Sequence, residues 1–177
     1  ANACPLRSLV RAGVGCTRYA LSMIEIRPAS PDDAPGMARV MVDTWFAAHK
    51  GQVSDDAFQQ RRDEWGYTES EQGWSRTIRE ADGVSAQMLV ATDEGRVIAV
   101  AASEVTGADC AEVGSLYVDV PYQRSGIGRR LVESTIDHYR NLGISTLHIA
   151  VLATNLPARR FYERLGGRDA GTRDDPD

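Results

Sequence analysis

The chain has 177 residues, 42% of them apolar and 25% charged, a length that suits one domain burying about two-thirds of its unfolded surface. Its formal net charge of −5 argues against nucleic acid or an anionic membrane as the main partner, and no apolar run approaches the roughly 20 residues of a membrane-spanning helix. Cys4, Cys16 and Cys110 are odd in number and form no CxxC pair, so neither a disulfide framework nor a zinc site is expected, and a reducing cytoplasm is the default compartment.

Residues 1–22 carry Arg7, Arg11 and Arg18 and no acidic residue. Their apolar stretches are too short for a secretory signal. They read as a basic N-terminal extension, with a functional arm as the alternative, ahead of an ordered domain over residues 23–177. Residues 23–28 alternate at period two and predict a strand closed by Pro28. Ser30, Pro31, Asp32 and Asp33 supply a cap, a first-turn proline and acids for a helix running to about Ala48. Ser54 caps a second helix carrying Phe58, Arg61, Arg62 and Trp65, and a third, short helix is expected over 71–81. Residues 86–92 and 97–105 form a predicted hairpin around the turn at 93–96, and 113–118 a further strand. A long helix follows from Gly126, with Ile127, Leu131, Val132, Ile136, Tyr139 and Leu142 at helical spacing, ended by Gly143. Residues 145–152 predict another strand and 157–165 a last helix stopped by Gly166 and Gly167. The order gives one α+β domain without repeats.

Between the strand at 113–118 and the long helix lie Gln123, Arg124, Ser125, Gly126, Ile127 and Gly128. Two glycines at a strand-to-helix turn let the backbone approach a ligand closely. The unpaired N–H groups of the first turn and the positive end of the helix dipole then favour a phosphate or pyrophosphate. A dinucleotide fold would need a third glycine where Leu131 stands, and no P-loop run exists.

The strand, the Q-x-x-G-x-G loop and the helix closely resemble the acyl-coenzyme A site of the GNAT superfamily of N-acetyltransferases. A second element, N-x-x-A-x-x-F-Y-x-x-x-G over Asn155, Ala158, Phe161, Tyr162 and Gly166, is similar to the same family. The resemblance covers residues 23–167 and implies a mixed, mostly antiparallel central sheet flanked by helices, here with a shortened C-terminal end. It implies acetyl-CoA as co-substrate, no metal, and a small-molecule or peptide amine as acceptor. Backbone amides near Arg124, Gly126 and Gly128 would hold the pyrophosphate, with Ser125 and Ile127 in the same turn. Arg124, Arg129 and Arg130 would add charge, although Arg129 and Arg130 also suit a solvated helix face. The strand is expected to splay at its end, freeing backbone groups of Leu116 and Val118, with Tyr117 between them, for the pantetheine arm. An N–H near Val118 would then face the thioester carbonyl.

Counted back from Gln123, Glu112 stands where several relatives carry a general base, and strict alternation would give it a face shared with Gly114, Leu116 and Val118. A solvent-facing strand carboxylate is the other reading, and Glu104 a weaker candidate. Tyr162 matches the family's general acid, with a core or pantetheine-packing tyrosine as the alternative. Asn155 is expected to bond pantetheine, to cap the last helix, or both. His148 reads as a structural residue of an apolar strand. Trp45, Phe46, Trp65, Tyr67 and Trp74 fall in the segment that covers the acceptor site in this superfamily. Relatives continue with further strands after the last helix, so a homodimer or another cover for the last strand's edge is expected. The function implied is direct transfer of an acetyl group to a primary amine in a ternary complex. A non-catalytic acyl-CoA-binding module is the alternative, and it would dispense with Glu112 and Tyr162.

Overall fold

The computed structural model describes residues 24–51 and 53–172; the extension expected over 1–22 lies outside them. Strand β1 (Glu25–Pro28) leads through a one-turn 3-10 helix (Pro31–Asp33) into α1 (Ala34–His49), α2 (Asp55–Glu64) and α3 (Tyr67–Glu80). Then come β2 (Ala86–Asp93), β3 (Arg96–Gly107), β4 (Cys110–Val118), a second 3-10 turn (Val120–Tyr122), α4 (Ile127–Asn141), β5 (Thr146–Ile149) and α5 (Leu156–Arg164). The sheet order is β1-β2-β3-β4-β5, antiparallel throughout except for the parallel β4/β5 pair. The mixed, mostly antiparallel sheet flanked by helices is the fold expected.

Each face of the sheet has its own core. Met37, Val40 and Trp74 from α1 and α3 pack on Val90 and Val100, with Tyr117 and Met41 against them. On the other face Ile127 and Leu131 of α4 pack on Leu89, Ala99 and Ala101, joined by Leu116 and Val118. The Tyr139 hydroxyl of α4 donates to Ser103 Oγ at 3.1 Å, which fixes that helix against β3.

The helix expected from Ser30 is split into a 3-10 turn and α1. Asp33 is the reason. Its carboxylate accepts from the Ser30 N–H at 2.7 Å and Ser30 Oγ at 2.9 Å, and takes both Arg27 guanidinium nitrogens at 2.7 and 2.8 Å. That closes one tight turn before Pro35, which has no N–H to continue a bonding ladder backwards. These bonds hold the Asp33 carboxyl at about 2, with Arg27 as the main cause.

Two further departures bear on the site. Strand β4 begins at Cys110 rather than 113, because the turn after Gly107 is tight enough for Cys110 to pair with Gly107 itself. Its pairing with β3 then slips: Ser115 opposes Ala102 while Val113 opposes Ser103, leaving Gly114 as an extra residue in a β-bulge. Strand β5 is correspondingly short. It pairs with β4 only over Cys110↔Thr146 to Val113↔Ile149, and the two strands part where the bulge begins.

Candidate active site

The bulge corrects the expected placement of Glu112. Residues opposite one another across a ladder point to the same face. Val113, paired with Ser103, therefore shares the α4 face with Leu116 and Val118. Glu112, paired with Glu104, shares the α1/α3 face with Ser115 and Tyr117. Glu112 does not share a face with Leu116 and Val118, because one extra residue at Gly114 inverts the alternation. The inversion puts Glu112 on the same side of the sheet as Tyr117. His148 lies directly opposite Glu112 on β5; it is exposed, and its Nδ1 sits 3.4 Å from Cys110 Sγ. The histidine expected there as a structural residue of an apolar strand is exposed, beside a thiol.

Beyond Val113, β4 keeps β3 on one side and loses β5 on the other. The Asp119 N–H donates to Ile98 O at 2.8 Å. By alternation along an antiparallel ladder, the backbone groups of Leu116 and Val118 face the opened side. This is the splay expected from the sequence. The Val118 carbonyl has partners within the chain, however. The side-chain amide of Gln123 donates to it at 3.0 Å and Thr44 Oγ1 at 3.4 Å. The side chain of Gln123, a residue expected in the cofactor site, ties the following loop back to the end of β4.

That loop is curled by two residues of positive φ, Arg124 at 62° and Gly126 at 90°. Gly126 is the N-cap of α4 in a left-handed conformation that costs a glycine nothing. Ser125 Oγ donates to Tyr122 O at 2.5 Å, pinning the curl. Gly128 sits where a Cβ would meet Phe161 at 3.4 Å and Val118 at 3.5 Å, so α4, α5 and β4 converge there. The first-turn N–H groups of α4 therefore lie beside the end of the opened strand. Arg129 pairs with Glu133 at 2.7 Å and Arg130 reaches Ile24 O at 3.3 Å, so both serve the helix surface as well.

Asp119 anchors this corner. It is 6% exposed and accepts from Arg39 at 2.8 Å and Arg96 at 3.3 Å, while Arg39 also donates to Val97 O at 2.6 Å. The Tyr122 hydroxyl donates to Asp93 at 2.7 Å. Sequence reasoning missed this network, since Arg39 and Asp119 lie far apart in the chain; an acid at a strand end before proline was its only local signal.

On α5, Asn155 caps the helix: its side chain accepts from the Ala158 N–H at 3.2 Å. The side-chain amide N–H groups of Asn155 point to no acceptor among the described residues. Tyr162 stacks edge-on against Phe161, with ring centroids 4.9 Å apart. Burial, with a smaller contribution from neighbouring Tyr117, pushes its phenol up to about 12. Burial also raises Tyr117, whereas a hydrogen bond with Ser115 and the charge of Arg61 pull it back. Arg61 stands 4.6 Å over the Trp65 ring, and Trp65 joins Trp45, Phe46, Phe58 and His49 in one aromatic cluster. The charge of Arg61 thus acts on Tyr117, and Tyr117 on Tyr162. Among the described residues no group of three or more His, Cys, Asp or Glu is arranged to hold a metal, and no helix is long and apolar enough to cross a membrane.

Comparison with known proteins bears on this geometry. The [ribosomal protein bS18]-alanine N-acetyltransferase of Escherichia coli K12 is 39% identical over 82 residues, 46% of this chain and 55% of that protein. Mycothiol acetyltransferase of Propionibacterium freudenreichii is 33% identical over 85 residues, 46% of this chain and 27% of that one. The chain spans about half the length of the first of these. Among solved structures, the PaiA N-acetyltransferase of Thermoplasma acidophilum in complex with coenzyme A superposes with a TM-score of 0.70 at 22% identity, over 80% of this chain and 87% of that one; the likeness is one of fold. The model of the acetyltransferase (GNAT) family matches residues 51–167, and the chain belongs to that family.

Proposed function

We propose that the chain transfers an acetyl group from acetyl-CoA to a primary amine by direct attack in a ternary complex. The observation that carries this reading is the opened edge of β4. It runs from the curled loop at Gly126 to the neighbourhood of Tyr117 and Tyr162. A peptide-like arm adds to such an edge as a strand would, and a pyrophosphate suits the helix N-terminus beside it. The residues fit coenzyme A. Backbone N–H groups around Gly126 and Gly128 take the phosphates with Arg124 nearby, Leu116 and Val118 take the arm, and the Asn155 side-chain amide adds a donor. Tyr117 and Ala158 complete the walls, and Ile127, its side chain in the core, offers only its backbone N–H. The bound thioester supplies an activated acyl group.

The reaction forms a C–N bond and breaks a C–S bond; the nitrogen gives up two protons, one taken by the base before attack and one that ends on the departing thiolate as the amide forms. The Val118 N–H is oriented to stabilise charge on the thioester oxygen. Tyr162 holds its proton through the whole physiological range and donates a hydrogen bond to the departing sulfur. Glu112, on the face of Tyr117, is the base that takes the ammonium proton directly or through water.

Thiol release from acetyl-CoA across a panel of polyamines, amino acids, aminoglycosides and peptide N-termini tests the reading, with mass detection of the N-acetylated product. Amine-dependent release supports it. Tight acetyl-CoA binding without release from any amine would leave only a binding module, and absence of binding would remove the reading altogether.

A further inference from the structure

A threonine inside a helix has a local use for its hydroxyl, which can donate to the carbonyl one turn back. Thr77 of α3 does this, to Gly73 O at 3.0 Å, and Thr135 of α4 does it to Leu131 O at 3.1 Å. Thr44 of α1 does not. Its hydroxyl crosses to another element and donates to Val118 O, the last carbonyl of β4, at 3.4 Å. Thr44 is 7% exposed, so packing as well as the bond fixes the direction of its side chain.

The same carbonyl already accepts from the Gln123 side-chain amide at 3.0 Å. A carbonyl oxygen has two lone pairs, and with Thr44 both are engaged from within the chain. Satisfying the oxygen did not require the second donor; restraining it from a second direction did. The rest of that peptide is held as firmly. The Asp119 N–H donates to Ile98 O at 2.8 Å. The Asp119 carboxylate takes Arg39, another α1 residue, at 2.8 Å, and Arg39 also donates to Val97 O at 2.6 Å. The Val118–Asp119 peptide is thus tied to β3 and to α1 at once, at a strand end that would otherwise fray. With Tyr117 paired to Val100 just before it, Val118 is fixed on both sides, and its N–H keeps one direction, towards the opened side of β4.

Resting on the acetyltransferase reading above, we infer that Thr44 is a positioning residue for acetyl transfer. Through the Val118 carbonyl it sets the aim of the Val118 N–H at the thioester oxygen. Together with Gln123 it also fills that carbonyl, so the edge open to the pantetheine arm ends at the Val118 N–H, which fixes where the arm stops. Thr44 acts through Val118 and not on the reacting atoms.

Two substitutions separate aim from packing. Thr44→Val keeps the branched shape and the buried volume and loses only the O–H; Val118 O retains Gln123. Thr44→Ser keeps the O–H and loses a buried methyl. If Thr44 only packs, serine is the worse variant in stability and activity alike, because the methyl is lost from a buried site while the carbonyl keeps a donor. The positioning role predicts the opposite order in activity. In Thr44→Val, kcat for thiol release falls roughly fivefold or more, KM for acetyl-CoA stays within about threefold, and Tm is no lower than that of the unmodified protein. In Thr44→Ser, Tm falls and kcat stays above about half. Cooperative melts and retained coenzyme A affinity show that both variants fold. A second readout needs no turnover. In the protein labelled with 13C and 15N, the Val118 amide proton is expected further downfield with acetyl-CoA than with coenzyme A, which has no thioester carbonyl. That difference shrinks in Thr44→Val and persists in Thr44→Ser. Without ligand, the Val118 carbonyl carbon moves upfield in Thr44→Val and holds in Thr44→Ser; an unmoved carbon refutes the bond on which the proposal stands. Wild-type kcat in Thr44→Val, or a Thr44→Ser slower than Thr44→Val, overturns the proposal and leaves the acetyltransferase reading standing wherever release remains amine-dependent. If the wild-type protein releases no thiol with any amine, that reading fails and the Val118 comparison still decides this one. Loss of the acetyl-CoA difference in Thr44→Val supports the aim set by Thr44. Its absence from the wild type, or its persistence in Thr44→Val, overturns it.

Discussion

Replacing Tyr162 by phenylalanine isolates what its hydroxyl does. The ring keeps its edge-on contact with Phe161 at 4.9 Å, so packing is preserved and only the O–H is lost. With the phenol near 12 and the conjugate thiol of the leaving group near 8.5, complete proton transfer from tyrosine to thiolate is uphill by about 5 kcal/mol. On the proposed mechanism the hydroxyl would work chiefly by hydrogen-bonding to charge on sulfur, a contribution of about 1.5–3 kcal/mol. That converts to a fall in kcat of roughly 10- to 150-fold in Tyr162→Phe, less than the loss of a full proton donor could reach. KM for acetyl-CoA should stay within about threefold by the same reasoning, because the hydroxyl acts in the transition state. The assay is steady-state thiol release with both substrates saturating, alongside a thermal melt showing that the variant folds. The pH dependence gives a second reading. Tyr162 must keep its proton, so its contribution is lost only as pH rises through about 12, and the wild-type protein should show no limb from this group near pH 10. A variant retaining more than a third of wild-type kcat would refute the assignment.

Other perturbations have equally definite outcomes. Asp33→Asn should destabilise the fold by about 1–2 kcal/mol at neutral pH, a figure discounted for the partial exposure of Arg27. Because the Asp33 carboxyl is depressed to about 2, that contribution is present above its unfolded value and fades as pH falls through 2; urea melts at pH 7 and pH 2 would show the difference shrinking. Asp119→Ala removes the acceptor shared by Arg39 and Arg96 and should cost about 1–3 kcal/mol, below the full loss for a buried pair because the arginines are partly exposed. Its KM for acetyl-CoA should rise more than its kcat falls, since the corner positions the loop rather than touching the reacting atoms. Gly73→Ala should stabilise the protein by about 0.5–1 kcal/mol through helix propensity alone, read as a higher Tm; a lower Tm would mean that the position is crowded.

The parts of the site that follow from local chemistry were legible in the chain. Gly126 at a strand-to-helix turn takes the left-handed conformation the motif requires, and Asn155 caps α5 as its side chain allows. The hairpin between β2 and β3 lies at the turn residues that announce it. Period-two counting failed at Gly114, since alternation assumes an unbroken ladder. An isolated glycine inside a strand was the warning of a bulge. The role of Gln123 depends on how the loop curls back onto Val118, and that of Asp119 on a partner 80 residues away; neither is written in local spacing. Among the tryptophans, composition could not tell which packs the aromatic cluster and which walls a cavity. That depends on how α1 and α3 are set against the sheet.

The central claim is that coenzyme A lies along the opened edge of β4 with its phosphates at the start of α4. Backbone amide shifts on adding coenzyme A to the 15N-labelled protein test it most directly. The largest changes are expected at Leu116, Val118, Gly126 and Gly128, with smaller ones at Asn155 and Ala158. Saturable changes confined to other elements, with those amides unmoved, would contradict it.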